Sequence, residues 1–125
     1  MATVNLTTDA FEKTVTSDGI TLVDFWADWC APCKMFGPIY EAASEKNTEI
    51  TFGKVDTEAE QVLASAAGIT SIPTLMAFRD GVLVFSQPGA LPAVALDQVI
   101  EAVRALDMDE VHAKIAAQRA DAQSA

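Results

Sequence analysis

The sequence predicts an α/β domain with a mixed central β-sheet and helices on both of its faces, on three observations. Two apolar runs rich in β-branched and aromatic residues, 20–27 and 50–55, flank a long helical stretch, and that order is a βαβ unit with a parallel strand pair. Two further strand-like runs, 74–78 and 82–85, are split by a short turn containing Asp80-Gly81, which reads as an antiparallel hairpin. A closing helix pattern then sets Leu96, Val99, Ile100, Val103 and Leu106 on one apolar face.

Each element has its own local warrant. Asp9-Ala10-Phe11-Glu12 and Thr57-Glu58-Ala59-Glu60 have capping-box spacing, so helices are expected to begin near both, the second running from about Glu58 to Ala67. Between the first two strands the helical pattern spans about 31–46. Within it Pro38 removes a backbone hydrogen bond and crowds the carbonyl of Lys34, while Ile39, Tyr40, Ala42 and Ala43 continue the apolar pattern, so a kink rather than an end is expected at Gly37-Pro38. Met35, Phe36 and Tyr40 read as core and helix-packing residues, and Pro92 opens the last helix of the domain.

With 125 residues, half of them apolar, the chain can bury one sizeable core. We take 1–106 as the domain and 107–125 as a short alanine-rich extension, partly helical or frayed, in which Met108, Val111 and Ile115 recur at helical spacing and His112 is a solvated helix residue. Eighteen acidic residues against eight Lys and Arg give a net charge of −10, which opposes nucleic-acid and anionic-lipid partners. The opening residues lack the basic start and apolar run of a secretory signal, and no stretch approaches a membrane span, so a cytoplasmic location is expected.

The only two cysteines stand three positions apart in Trp29-Cys30-Ala31-Pro32-Cys33-Lys34, where a strand gives way to a helix. A helix N-terminus offers unpaired N–H groups and partial positive charge, which stabilise a sulfur as thiolate, so Cys30 is the candidate nucleophile. In a helix interior i and i+3 Cβ atoms lie about 5–6 Å apart, too far for a relaxed disulfide, so the pair can close only if Cys30 is the half-in residue at the helix start. Pro32 suits that first turn and stiffens it. As a staple the bond would be weak, because loop entropy gives only about 2 kcal/mol for so small a ring. A zinc site would need two more ligands, and the single histidine, His112, lies far along the chain, so no metal is expected. In a reducing compartment a lone Cys-x-x-Cys is more often catalytic than architectural.

The segment Phe25-Trp26-Ala27-Asp28-Trp29-Cys30-Ala31-Pro32-Cys33-Lys34, with Ile72-Pro73-Thr74 and Gly89-Ala90 downstream, closely resembles the thioredoxin family over roughly 4–106. The resemblance implies a thioredoxin fold and a protein-disulfide oxidoreductase in which Cys30 attacks, Cys33 resolves, and Asp24 is a buried carboxylate that helps move the Cys33 proton. Asp24 sits inside an apolar run, and desolvation in a central strand should raise its pKa into the range useful for proton exchange. Lys54 matches a family lysine near that aspartate and would pull the pKa back down. Ile72-Pro73 matches the family's cis-peptide position, and Trp29, Ala31, Pro32, Ile72, Pro73, Gly89 and Ala90 would form an apolar substrate-docking patch. The implied partners are disulfide-containing proteins and an NADPH-dependent thioredoxin reductase, with no cofactor on the chain itself and a monomeric state.

Ala31 departs from the glycine usual in this motif, and Asp28 beside Trp29 is expected at the surface. Two other readings compete with disulfide reduction. A thioredoxin-like oxidase or isomerase would need an oxidising compartment, and a binding or holdase module would use the apolar patch while its cysteines stayed idle.

Overall fold

A computed structural model describes residues 2–124. In chain order the elements are β1 (Thr3–Asn5), α1 (Thr8–Val15), β2 (Ile20–Trp26), α2 (Ala31–Lys46), β3 (Thr51–Asp56), α3 (Gln61–Ala66), β4 (Thr74–Arg79), β5 (Val82–Pro88), α4 (Ala93–Arg104) and α5 (Met108–Ser124). The strands form one sheet in the order β1-β3-β2-β4-β5. β3 runs parallel to β1 and β2, while β4 runs antiparallel to β2 and β5, so the expected mixed sheet is present with β2 at its centre.

β2 is buried along most of its length because both faces are covered, which is why its sequence is a continuous apolar run rather than an alternation. On one face Leu22, Phe52 and Leu75 pack against Phe36, Tyr40 and Ala43 of α2 and Leu96, Ile100 and Val103 of α4. On the other, Val23, Phe25, Val55 and Met76 pack against Val15 of α1 and Leu63 of α3. The Tyr40 ring meets Phe52 edge-on at 5.2 Å and its hydroxyl donates to the Gly53 carbonyl at 2.8 Å, fixing α2 to the sheet. The β4–β5 hairpin turns through Asp80 and Gly81, both at positive φ (50° and 81°), the geometry of a two-residue turn that matches strand twist.

Several expectations are corrected. Neither capping box forms. α1 begins one residue before Asp9 with Thr7 as its N-cap, and the donor at its start is met from outside the helix, by the Glu60 carboxylate accepting from the Thr8 N–H at 2.7 Å. α3 begins only at Gln61, because Thr57 is recruited by the sheet: its N–H and hydroxyl both donate to the Trp26 carbonyl, at 2.9 and 3.0 Å. Met35 is 72% exposed and not a core residue, since it lies on the face of α2 turned away from the sheet. β1 is a strand that periodicity did not indicate. It is short and mostly exposed, held in register by β3 and by Glu41, whose carboxylate accepts from the Ala2 N–H and the Thr3 hydroxyl.

α2 continues through Pro38 to Lys46. α5 is one uninterrupted helix, its first turn capped by Asp107 Oδ1, which accepts from the N–H groups of Asp109 and Glu110. Met108 is buried, and Val111 and Ile115 lie half-buried beside Val82, Leu83, Val84 and Leu106. Arg79 of β4 fastens the preceding corner, with Nη1 donating to the carbonyls of Val103, Arg104 and Leu106. Among the described residues no helix is long and apolar enough to cross a membrane.

Candidate active site

The Cys30–Cys33 segment is held between the end of β2 and the first turn of α2. β2 delivers the chain to Trp26, a short loop follows, and Cys30 becomes the N-cap of α2 with extended backbone (φ −89°, ψ 109°). That half-in position brings the two Cα atoms to 5.2 Å, and the sulfurs are joined in a disulfide. The Cys33 N–H points at Cys30 Sγ at 3.2 Å, so the sulfur occupies the place an oxygen takes in an ordinary helix cap. The same N–H, with the helix terminus behind it, is set to stabilise a thiolate once the bond is reduced.

The two sulfurs differ in outlook. Both residues are buried and pack with Ala27 beneath Trp26 and Ile72, yet Cys30 alone of the pair lines the groove beside the site. That groove, about 400 Å³, is walled by Trp29, Cys30, Ala31 and Pro32 on one side and by Thr57, Ala64, Ile69, Thr70, Ser71 and Ile72 on the other. Cys30 Sγ lies 3.6 Å from the Ile72 carbonyl, and the Ile72-Pro73 bond is cis.

Of the residues expected at a docking patch, Trp29 is 69% exposed, Ala31, Pro32, Gly89 and Ala90 are exposed, and Ile72 is half-buried. Pro73 is placed differently, because its ring is buried and its backbone carbonyl is engaged by the Gly89 N–H at 2.7 Å. Gly89 has φ 104°, a conformation suited to glycine, and through this bond the loop after β5 is moored to the cis-proline loop. Sequence reasoning missed Thr57, Ala64, Ile69, Thr70 and Ser71. The parallel pairing of β2 with β3 carries Thr57 to the groove, and the chain entering the cis proline carries the last three.

Asp24 projects from β2 on the face covered by α2, 1% exposed, and neither carboxylate oxygen has a hydrogen-bond partner among the described residues. Burial pushes its pKa up to about 7, with the charge of Lys54 acting in the opposite direction. Asp24 and Lys54 are register partners across β2 and β3, but the Lys54 ammonium lies over the Trp26 ring, 4.7 Å from its centroid. Tyr40 of α2 is held protonated well above the usual phenol range, first by burial and then by the nearby Asp24 charge. Asp28 is exposed, as is His112 in α5. Among the described residues no cluster of three His, Cys, Asp or Glu is placed to hold a metal ion.

The thioredoxin family model matches residues 2–102. "Putative thioredoxin 2" of Streptomyces coelicolor is 58% identical over 121 residues, covering 97% of this chain and 90% of the relative. Thioredoxin of Bacillus subtilis is 39% identical over 101 residues, 80% of this chain and 96% of the relative. Among solved structures, thioredoxin from Malassezia sympodialis superposes with a TM-score of 0.73 at 31% identity, covering 80% of this chain and 89% of that one. Thioredoxin from Plasmodium falciparum gives a TM-score of 0.73 at 33% identity, covering 80% and 97%. With a helix-capping Cys-x-x-Cys disulfide just beyond the central strand of a mixed sheet, and these relatives, the chain belongs to the thioredoxin family, and the Cys30–Cys33 pair is the redox-active centre of a protein-disulfide oxidoreductase.

Proposed function

We propose that the chain reduces protein disulfides with Cys30 as the attacking sulfur and Cys33 as the resolving one. The observation that carries this division of roles is that, of two equally buried cysteines, Cys30 caps α2 and lines the groove, while Cys33 does not line it. The Cys30 thiolate attacks one sulfur of a substrate disulfide, a new S–S bond forms, and the other substrate sulfur departs as thiolate and takes up a proton. Cys33, giving its proton to Asp24, then attacks Cys30 Sγ, and the second substrate sulfur leaves. Two electrons have passed to the substrate and the Cys30–Cys33 disulfide is restored.

Asp24 suits that proton because its pKa of about 7 lets it take up and release one near neutral pH. Lys54 tunes it through space from above Trp26. Trp29, Ala31, Pro32, Ile72, Pro73, Gly89 and Ala90 receive the substrate. A thioredoxin reductase drawing on NADPH returns the dithiol. The protein acts in the cytoplasm as a monomer, with 1–106 as the catalytic domain and 107–125 as its extension.

An NADPH-coupled insulin reduction assay with a bacterial-type thioredoxin reductase tests the reading. Wild-type protein is expected to turn over and Cys30→Ser to be inactive. Cellular function left unchanged by Cys30→Ser would instead transfer the case to a binding or holdase role, and insulin reduction retained by Cys30→Ser would remove Cys30 as the attacking sulfur.

A further inference from the structure

Trp29 is a large apolar side chain left 69% exposed at the lip of the groove, the setting in which an indole ordinarily samples several rotamers. Here it does not hang free. Its Nε1–H donates to Glu58 Oε1 at 2.6 Å, a short bond to a charged acceptor, the stronger class of hydrogen bond.

Glu58 is itself on a fastened turn. The Thr57 N–H and hydroxyl both bond the Trp26 carbonyl, Asp56 Oδ1 accepts from the N–H groups of Glu58 and Ala59, and the Glu60 N–H donates to the Asp56 carbonyl. The turn after β3 is thereby tied to the last residue of β2, and Trp29 follows that residue by one short loop. A rigid donor loop and a rigid acceptor turn meet through one side-chain bond, which sets where the indole stands relative to Cys30 and to the facing wall of Thr57, Ala64 and Ile69 to Ile72.

We propose that Glu58 is a positioning residue for disulfide reduction: its carboxylate holds the Trp29 ring as a fixed wall of the substrate groove, so that a protein disulfide is guided onto Cys30. This rests on the disulfide-reductase reading above. The bond preorganises the groove and leaves the exchange chemistry at Cys30 untouched, so its contribution falls on protein substrates, which must occupy the groove, and not on small disulfides that reach the sulfur without it.

The chain has only two tryptophans, so its indole N–H signals in a nitrogen-15 correlation spectrum number two and the exposed Trp29 is assignable by Trp29→Phe. In the wild-type protein the Trp29 indole proton is expected to exchange slowly with solvent and to shift on Glu58→Ala. Glu58→Gln keeps a neutral acceptor and should restore most of the protection. In insulin reduction Glu58→Ala is expected to raise KM by about three- to tenfold with kcat little changed, the range expected for losing one hydrogen bond at an exposed site, and Glu58→Gln to recover most of it. Reduction of a small aromatic disulfide by the same variants serves as control and should proceed at the wild-type rate. A freely exchanging indole proton in wild type, or equal KM in Glu58→Ala and wild type, overturns the proposal. Inactivity of the wild type on both disulfides would instead remove the reductase reading beneath it.

Discussion

Asp24 and Lys54 stand directly opposite each other on adjacent parallel strands, yet they do not form an ion pair: the ammonium lies over the Trp26 ring and both Asp24 oxygens are without a hydrogen-bond partner among the described residues. Trp26 and Asp24 share one face of β2, two residues apart, so the aromatic ring takes up the cation that would otherwise neutralise the carboxylate. Burial therefore outweighs Lys54, and the folded protein keeps Asp24 protonated well beyond the ordinary carboxylate range.

That imbalance makes stability depend on pH. Below about 3.8 Asp24 is protonated in both the folded and unfolded chain; between 3.8 and about 7 the unfolded chain ionises it while the folded protein retains its proton. The folded state binds more protons across this window, so stability falls as pH rises through it and levels above. At about 1.36 kcal/mol per unit the loss approaches about 4 kcal/mol as an upper bound. Asp24→Asn should abolish this component. Urea denaturation of the oxidised wild type and the variant at pH 4 and pH 8 checks it, and parallel pH dependences in the two would contradict the prediction.

Ala31 occupies the first turn of α2 with its side chain in solvent, so it touches neither sulfur's packing. Ala31→Gly changes helix-start propensity by about 0.5–1 kcal/mol, present in both redox states and largely cancelling between them. The reduction potential is expected to move by less than about 30 mV, the equivalent of about 1.4 kcal/mol for two electrons. Equilibration against a glutathione couple measures it, and a larger shift would show that residue 31 acts on one redox state alone.

Ending the chain after Leu106 removes α5, which reaches the domain through Met108, Val111 and Ile115 far from the groove lining. Insulin reduction should be unchanged. Stability should drop by about 1.5–3 kcal/mol, the value of burying one methionine-sized side chain. Thermal or urea unfolding gives the second quantity, and loss of activity in a still-folded truncation would place the extension in the catalytic machinery.

The core elements were legible because their residues carry strong local patterns. The continuous apolar run of β2 and the spacing of Leu96, Ile100 and Val103 report burial directly, and the Asp80-Gly81 pair reports a chain reversal. Cys30 and Cys33 were equally plain, since a helix-start Cys-x-x-Cys admits few geometries. What stayed hidden depends on distant partners. β1 is a three-residue, mostly exposed strand defined only by its pairing with β3. Thr57 looked like a helix cap, but the Trp26 carbonyl, remote in sequence, competes for its hydroxyl. Glu58 carries no mark in the sequence, because its significance comes from where the loop after β2 delivers Trp29.

Arg79 gathers three main-chain oxygens from the end of α4 and the linker beyond it onto one guanidinium nitrogen. The usual weak spot of a helix, its unravelling carboxyl terminus, is thereby clamped by a strand neighbouring the sheet's central one. The trailing segment consequently leaves the body of the protein in a direction dictated by β4, so a graft or label fused to it would inherit a defined launch angle instead of swivelling from a loose joint.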